Sequence, residues 1–183
     1  MRVWLRLAAW IDSLNERVGR GVAWLVLVMA LIGAYNAIVR YLGRYLGVSL
    51  SSNAYIEMQW YLYSLVFLLC AAYTLKHNAH VRVDVFYGRV SRRARAWINL
   101  LGTALFLLPF AVLMLWLSWP SVHNSWAVRE VSPDPGGLAR YPIKSVILVA
   151  FVLLCLQGIA EIIRNAAILR GHAIETPQER EIV

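Results

Sequence analysis

Four long stretches of the chain contain no Asp, Glu, Lys or Arg: residues 21–39, 58–75, 96–119 and 145–160. A helix that crosses about 30 Å of hydrocarbon needs about 20 residues, so the first three stretches suffice, and the fourth becomes long enough when it continues to about residue 163. The chain is 60% apolar, whereas ordinary globular domains are about 45–50% apolar. The sequence therefore predicts an all-α integral membrane protein with four transmembrane helices.

The predicted spans also lack the groups that a complete transporter would need. Transporters of charged substrates place ionisable groups or broken helices near the bilayer midplane. Here the polar residues Asn36, Gln59, Asn99 and Gln157 lie toward span ends. We therefore expect no catalytic, cofactor or metal site, and favour an accessory membrane subunit. A membrane anchor of a redox enzyme and a small self-sufficient transporter are the alternatives.

Cysteine and histidine are scarce. Cys70 and Cys155 both fall inside predicted spans, so they form no disulfide framework. His77, His80 and Asp84 have a spacing that one helix could present on one side, which makes a zinc site conceivable, although neighbouring Lys and Arg residues disfavour a cation. Glu161 precedes Arg164 by one helical turn, which predicts an ion pair near the end of the fourth span.

The basic residues indicate the orientation. Thirteen of the 18 fall before residue 21, in the 76–95 loop or in the tail after residue 163, and five fall in the 40–57 and 120–144 loops. Since positive loops stay in the cytoplasm, we predict that both termini and the 76–95 loop are cytoplasmic. The net charge of +8 is then explained by the membrane topology and by attraction to anionic lipid headgroups. Binding to nucleic acid is not indicated, because no basic stretch has a nucleic-acid-binding motif.

Three regions follow from this pattern. Residues 1–20 are predicted to form an amphipathic helix on the cytoplasmic membrane surface, residues 21–165 the four-helix domain, and residues 166–183 a polar cytoplasmic tail. A helix packed against another subunit would use the same apolar stripe. The stripe consists of Trp4, Leu7, Ala8, Ile11, Leu14 and Val18, and Asp12 and Glu16 fall largely on the other side.

The loop at residues 120–144 is rich in turn residues. Pro133 and Pro135 fix φ, and Gly136 and Gly137 can take the positive φ of a tight reversal. Its aromatic and polar groups are compatible with a surface that docks a partner on the outer side. The alternative is a solvated connector that caps its own helices. The candidate docking residues are Ser125, Trp126, Arg129, Glu130, Ser132, Asp134, Gly136 and Gly137.

Several segments together resemble a known family. EMQWYLYSLVFLLCAAYTLKHNAHVRVDVFY is followed by SW, EVSPDPGGL, YPIK and LLCLQG. In this order they are similar to the small, unfused four-helix membrane subunit of tripartite ATP-independent periplasmic (TRAP) transporters, over roughly residues 20–165. The resemblance implies a multi-pass protein of the bacterial inner membrane. It also implies that a periplasmic binding protein delivers an organic acid and that a large membrane subunit moves the acid with sodium. The small subunit is then expected to brace the large one and to help dock the binding protein.

The resemblance also suggests an interface with the large subunit or lipid. It implies that Glu57, Gln59 and Trp60 lie at the outer start of the second span, and that His80, Arg82 and Asp84 lie in the cytoplasmic hairpin. The Gly-Gly-Leu loop favours members that handle keto acids, dicarboxylates or related carboxylates. The complete set of candidate interface residues is Glu57, Gln59, Trp60, His80, Arg82, Asp84 and Gln157.

Overall fold

The regular elements of the computed structural model, which describes residues 1–48, 52–78 and 90–171, are helices. They are α1 (Arg2–Leu46), α2 (Asn53–Lys76), α3 (Arg92–Gly102), a π-helical turn (Thr103–Leu107), α4 (Leu108–Ala127) and α5 (Tyr141–Leu169).

Four helical stretches are long and apolar enough to cross a membrane: α1, α2, the continuous stretch Arg92–Ala127, and α5. Each uncharged run of the sequence lies inside one of them. The predicted all-α membrane fold with four spanning helices is therefore confirmed. The predicted division at residue 20 has no counterpart in the helix pattern, because α1 runs without a break from Arg2 to Leu46.

The π-helical turn lies immediately before a proline. The Leu108 N–H bonds the Thr103 carbonyl, five residues earlier, and Pro109 follows it. A proline has no N–H to donate, and its ring clashes with the carbonyl four residues before it in a regular helix. A wider turn relieves both problems, so the helix continues across Pro109.

Helix α5 is central, since it contacts α1, α2, α3 and α4. Its contact face carries small residues, including the fully buried Ala160 and Ala167. A Cβ atom on Gly158 would lie 2.9 Å from a methyl carbon of Leu107, so this glycine permits close packing against the third span.

The N-terminal part of α1 packs against the C-terminal part of α5. Ala8 and Ile11 form a buried cluster with Ala160 and Ile163. These two members of the predicted membrane-facing stripe thus pack inside the chain, whereas Trp4 remains exposed. Near the helix ends, the Arg170 guanidinium is 3.6 Å from the Met1 sulfur. The N-terminus and the end of α5 consequently lie at the same end of the bundle, which we call the terminal end.

Candidate functional site

The loop between α4 and α5, residues 128–140, folds into a short hairpin-like structure. Val131 and Ala139 form an antiparallel bridge. The Ser132 N–H donates to the Leu138 carbonyl at 3.0 Å, and the Arg140 N–H donates to the Glu130 carbonyl at 2.8 Å. These bonds satisfy backbone groups within the loop and define its shape.

The tip of this loop is the turn that the sequence predicts. Gly137 donates its N–H to the Asp134 carbonyl at 3.0 Å, and Gly136 has a φ of 71°. Pro135 precedes it, so proline and glycine occupy the two central positions as in a type II turn. At Gly137 an added Cβ atom would lie 2.4 Å from the Ser132 Cβ and 2.8 Å from a Glu57 carboxylate oxygen. The loop therefore needs glycine at 137 for space and at 136 for conformation.

Glu57 fastens this loop to the start of α2. Its side chain is buried and accepts hydrogen bonds from the Ser132 hydroxyl and from the Leu138 N–H. A carboxylate that accepts two donors from one loop holds that loop in a single position, because either donor would otherwise be left without a partner.

Two neighbours of Glu57 on α2 extend the attachment. The Asn53 amide donates to the Pro135 carbonyl, and the Tyr61 hydroxyl donates to the Ala139 carbonyl, both at 3.1 Å. Asn53, Glu57 and Tyr61 are four residues apart and so lie on one face of α2. Polar residues four positions apart at the start of an apolar helix indicate a polar face. This spacing could have identified Asn53 and Tyr61 from the sequence, but of the three residues the sequence prediction names only Glu57.

A second glutamate joins the two ends of the loop. The Glu130 carboxylate accepts hydrogen bonds from the Lys144 ammonium of α5 and, at 2.7 Å, from the Ser125 hydroxyl of α4. These two donors lower the pKa of Glu130 below its ordinary value. Beside it, the Trp126 indole donates to the Ser145 hydroxyl at 2.7 Å, and its ring meets the Tyr141 ring edge to face at 4.6 Å.

At the terminal end, a buried polar network links α1 to α5. The Asn15 amide donates to the Gln157 side-chain carbonyl at 2.7 Å, and the Gln157 amide donates to Asp12 at 3.0 Å. Arg164 pairs with Asp12 and, at 2.6 Å, with Glu161. The predicted Glu161–Arg164 pair is confirmed, and Asp12 is a third partner that the sequence prediction missed.

The same network extends from α1 to the end of α2. Lys76 pairs with Glu16 at 2.5 Å, and the His77 ring lies 2.9 Å from the same carboxylate. The amphipathic pattern placed Asp12 and Glu16 on the face opposite the apolar stripe, but both turn toward other helices of the chain. Both carboxylates therefore join helices within the chain.

Residues 29–167 match the family described as tripartite ATP-independent periplasmic transporters, DctQ component. The chain belongs to this family. No significant match was found among curated proteins or among solved structures. The matched range covers α2, α3, α4, the loop, most of α5 and residues 29–46 of α1. The resemblance inferred from the sequence is therefore confirmed, and the protein is a small permease component of a TRAP transporter, from a family of transporter components rather than enzymes.

The structure divides the predicted docking residues of this DctQ-family protein into two groups. Ser125, Glu130, Ser132 and Gly137 hold the loop in shape, since each bonds or packs inside the chain. The exposed residues form what we call the loop face: Trp126, Val128, Arg129, Val131, Pro133, Asp134, Pro135 and Gly136. A partner would meet the loop face, and the first group would set its geometry.

The predicted interface residues have different surroundings. Gln157 is fully buried, so its side chain faces the interior of the chain rather than another subunit or lipid. Gln59 packs against Gly33 of α1, with its amide nitrogen 2.5 Å from the position of an added Cβ atom. Trp60 is 39% exposed and stays available to lipid or a partner. His80, Arg82 and Asp84 lie outside the described residues.

No group of three or more His, Cys, Asp or Glu side chains in residues 1–48, 52–78 and 90–171 has an arrangement that could hold a metal ion. The zinc interpretation depends on His80 and Asp84, which lie outside those ranges. Its third member, His77, is engaged with Glu16, and its ring lies tilted against the Tyr73 ring with 4.3 Å between the ring centres.

Proposed function

We propose that this protein is the accessory membrane subunit of a sodium-coupled importer of organic acids in the bacterial inner membrane. In this proposal a periplasmic binding protein delivers the carboxylate, and a large membrane subunit moves it. The chain braces the large subunit and presents the α4–α5 loop to the binding protein. The membership of the DctQ family is the observation that supports this proposal most strongly.

The pairing of charges supports an accessory role. Asp12, Glu16 and Glu161 are each engaged by a basic side chain of another or the same helix. A residue that binds sodium or a carboxylate during transport must exchange its partners, whereas a partly buried, paired carboxylate loses stabilising free energy when its partner leaves. These charges therefore suit a static scaffold.

Exposed apolar side chains support a bracing role. Trp24 and Leu31 on α1, and Phe106 and Trp116 around α4, are between 62% and 76% exposed. A partner helix could pack against these surfaces and lipid could cover the rest. Co-expression with the large subunit tests this role, because the two proteins should then purify together in detergent. A chain that never retains the large subunit would contradict the bracing role.

The loop face supports docking. Val128 and Val131 are each 64% exposed on a loop whose backbone is fixed by Glu57 and Glu130. An exposed apolar surface on a rigid base loses little conformational entropy on binding. A photo-reactive amino acid at Val131 should crosslink to the binding protein in the assembled transporter. The matched control is Val3, which is 74% exposed at the terminal end and should give no crosslink. Equal crosslinking from both positions would contradict docking at the loop.

Docking also requires the loop to face the periplasm, as the thirteen-to-five division of basic residues predicts. Alkaline phosphatase fused after the C-terminus should be inactive, whereas the same enzyme inserted within residues 130–137 should be active. The reverse result would place the loop in the cytoplasm and end the docking proposal.

A further inference from the structure

Arg129, on the loop face, occupies a backbone position where glycine is the usual residue. It follows the end of α4 and has a φ of 47°, in the left-handed region. The Arg129 N–H donates to the Trp126 carbonyl at 3.2 Å, and the Glu130 N–H donates to the Ser125 carbonyl at 2.9 Å. These are the two bonds of a Schellman motif, which ends a helix with a left-handed residue, most often glycine. An arginine there is strained, because its Cβ atom crowds the backbone.

The Arg129 side chain is not needed for this helix end. Both bonds of the motif are made by backbone atoms, so a glycine would form them without the strain. The side chain is exposed, and in the described part of the chain it has no hydrogen bond, ion pair or ring contact. Strain that no internal contact offsets indicates a role toward a ligand or partner.

Most carboxylates near Arg129 are turned inward. We call the end of the bundle that carries the loop face the loop end. The 40–57 and 120–144 loops contain three acidic residues, which are Glu57, Glu130 and Asp134. Glu57 is buried against the α4–α5 loop, and Glu130 pairs with Lys144. Of the three, Asp134 is the exposed one.

The arginines of the loop end are turned outward. The last turns of α1 reach this end, since the Tyr35 ring lies 5.3 Å from the Tyr55 ring at the start of α2. Arg40, Arg44 and Arg129 are exposed, and none of them forms an ion pair with another described residue. Three exposed guanidinium groups against one exposed carboxylate make the described surface of this end cationic. Such a surface is complementary to an acidic partner.

The length of the third span separates Arg129 from the lipid headgroups. The continuous helical stretch Arg92–Ala127 has 36 residues and is about 54 Å long, whereas a bilayer with its headgroups is about 40–45 Å thick. The first turn of this stretch carries Arg92, Arg93 and Arg95, which suit one headgroup layer. The surplus of about 10 Å therefore projects from the opposite side of the membrane. Arg129 lies beyond this projecting end, where a soluble protein can reach it.

We propose that Arg129 binds a carboxylate on an acidic surface of the periplasmic binding protein. This inference rests on the proposed docking role and adds the chemistry of the partner. Because Arg129 has no ion pair within the described residues, no such pair must break before it binds. Val128 and Val131 are exposed on the same loop face, and apolar contacts around an arginine exclude water and strengthen its bond to the partner.

Affinity of the binding protein for the assembled two-subunit membrane complex, in phosphatidylcholine nanodiscs, tests this contact. KCl sets the ionic strength, so the sodium concentration stays constant. Arg129→Gly should bind about tenfold more weakly than the unmodified complex and depend less on KCl, since one charge pair is lost. Its thermal unfolding midpoint should be equal or higher, because glycine relieves the strain. The control Arg44→Gln removes one exposed charge from the same end and should bind within about twofold of the unmodified complex.

A zero-length crosslink identifies the group that Arg129 meets. In Arg129→Lys, a water-soluble carbodiimide should join the introduced amine to a carboxylate of the binding protein. Peptide mass spectrometry should then place the link at position 129. The unmodified complex should give no link at this position, because a guanidinium group does not react.

Three results would overturn this proposal and leave docking at the loop intact. They are equal affinity of Arg129→Gly and the unmodified complex, a crosslink from position 129 to the large subunit instead of the binding protein, and a lower unfolding midpoint in Arg129→Gly. The last result would assign the side chain to the carbonyl groups at the end of α4. An unmodified complex that does not bind the binding protein at any KCl concentration would contradict the docking role itself, and this proposal with it.

Discussion

At the scale of single residues, two glutamates give the α4–α5 loop its shape. Glu57 reaches the loop from α2 and accepts from Ser132 and Leu138, whereas Glu130 closes the base of the loop through Ser125 and Lys144. Neither carboxylate is then free to meet a binding protein. Substitutions at these positions should act by moving the loop face rather than by removing a contact with the partner.

Gly137→Val should impair binding-protein-dependent uptake severely while the complex with the large subunit still assembles. The added Cβ atom would lie 2.4 Å from the Ser132 Cβ, so the loop must leave its seat on Glu57. The matched control is Gly102→Ala, where an added Cβ atom meets nothing within 4 Å and uptake should stay normal. Uptake by whole cells and co-purification of the two membrane subunits are measured on both variants. Lost assembly in Gly137→Val would instead assign the loop to the large subunit.

The Glu130 carboxylate should titrate below the ordinary glutamate pKa of about 4.3, because Lys144 and Ser125 stabilise its charged form. A lowered folded-state pKa means that the stabilisation is fully present above the ordinary value and is lost as the pH falls through the lowered one. Carbon NMR of glutamate-labelled protein in micelles, with Glu130→Gln for assignment, measures it directly. Lys144→Gln should raise the titration midpoint of Glu130. An unchanged midpoint in Lys144→Gln would mean that the ion pair does not form.

At the scale of helices, the terminal-end network determines how α1 continues beyond the membrane. Asp12, Asn15 and Glu16 connect α1 to α5 and α2, and Ala8 and Ile11 pack beneath them. These contacts hold the N-terminal part of α1 against α2 and α5. The membrane-surface position of residues 1–20 stays a prediction, since Trp4 and Leu7 still present an exposed apolar surface.

Arg164→Gln should destabilise the protein by about 2 kcal/mol, because it leaves the half-buried carboxylates of Asp12 and Glu161 without their common partner. Adding Asp12→Asn should recover part of this loss, since one unpaired charge disappears. The midpoint of thermal unfolding in detergent, followed by helicity, measures both effects. Arg170→Gln is the control, since within the described residues its guanidinium forms no ion pair and its one side-chain hydrogen bond goes to the Met1 sulfur, so this variant should unfold normally. Additive effects of the Asp12 and Arg164 substitutions would contradict the network.

Helix existence was predictable from the sequence, but the contacts between helices were not. Uncharged runs predict spans because lipid offers backbone groups no partner other than the helix itself. Local spacing also predicts the Glu161–Arg164 pair and the glycine turn. Helical periodicity shows which residues share a face, but it does not show which helix packs opposite. Asp12 meets Arg164 across 152 positions, and Glu57 meets Ser132 across 75. These two contacts could not be read from the pattern of either segment alone.

At the scale of the whole molecule, the bundle has two ends with different polar structures. The terminal end holds a network of paired charges that joins α1, α2 and α5, and the other end presents the loop face on a base fixed by α2, α4 and α5. Between them, exposed apolar side chains cover α1 and α4. Such a molecule is suited to hold a partner in the membrane and to position a second partner above it.

The central claim is that this chain is required for transport but does not itself transport. The most direct test reconstitutes the large subunit into liposomes with and without this chain, adds the binding protein and labelled organic acid, and imposes a sodium gradient. We predict uptake only when both membrane subunits, the binding protein and the gradient are present, and none from this chain alone. Uptake by this chain without the large subunit, or full uptake by the large subunit without this chain, would contradict the account.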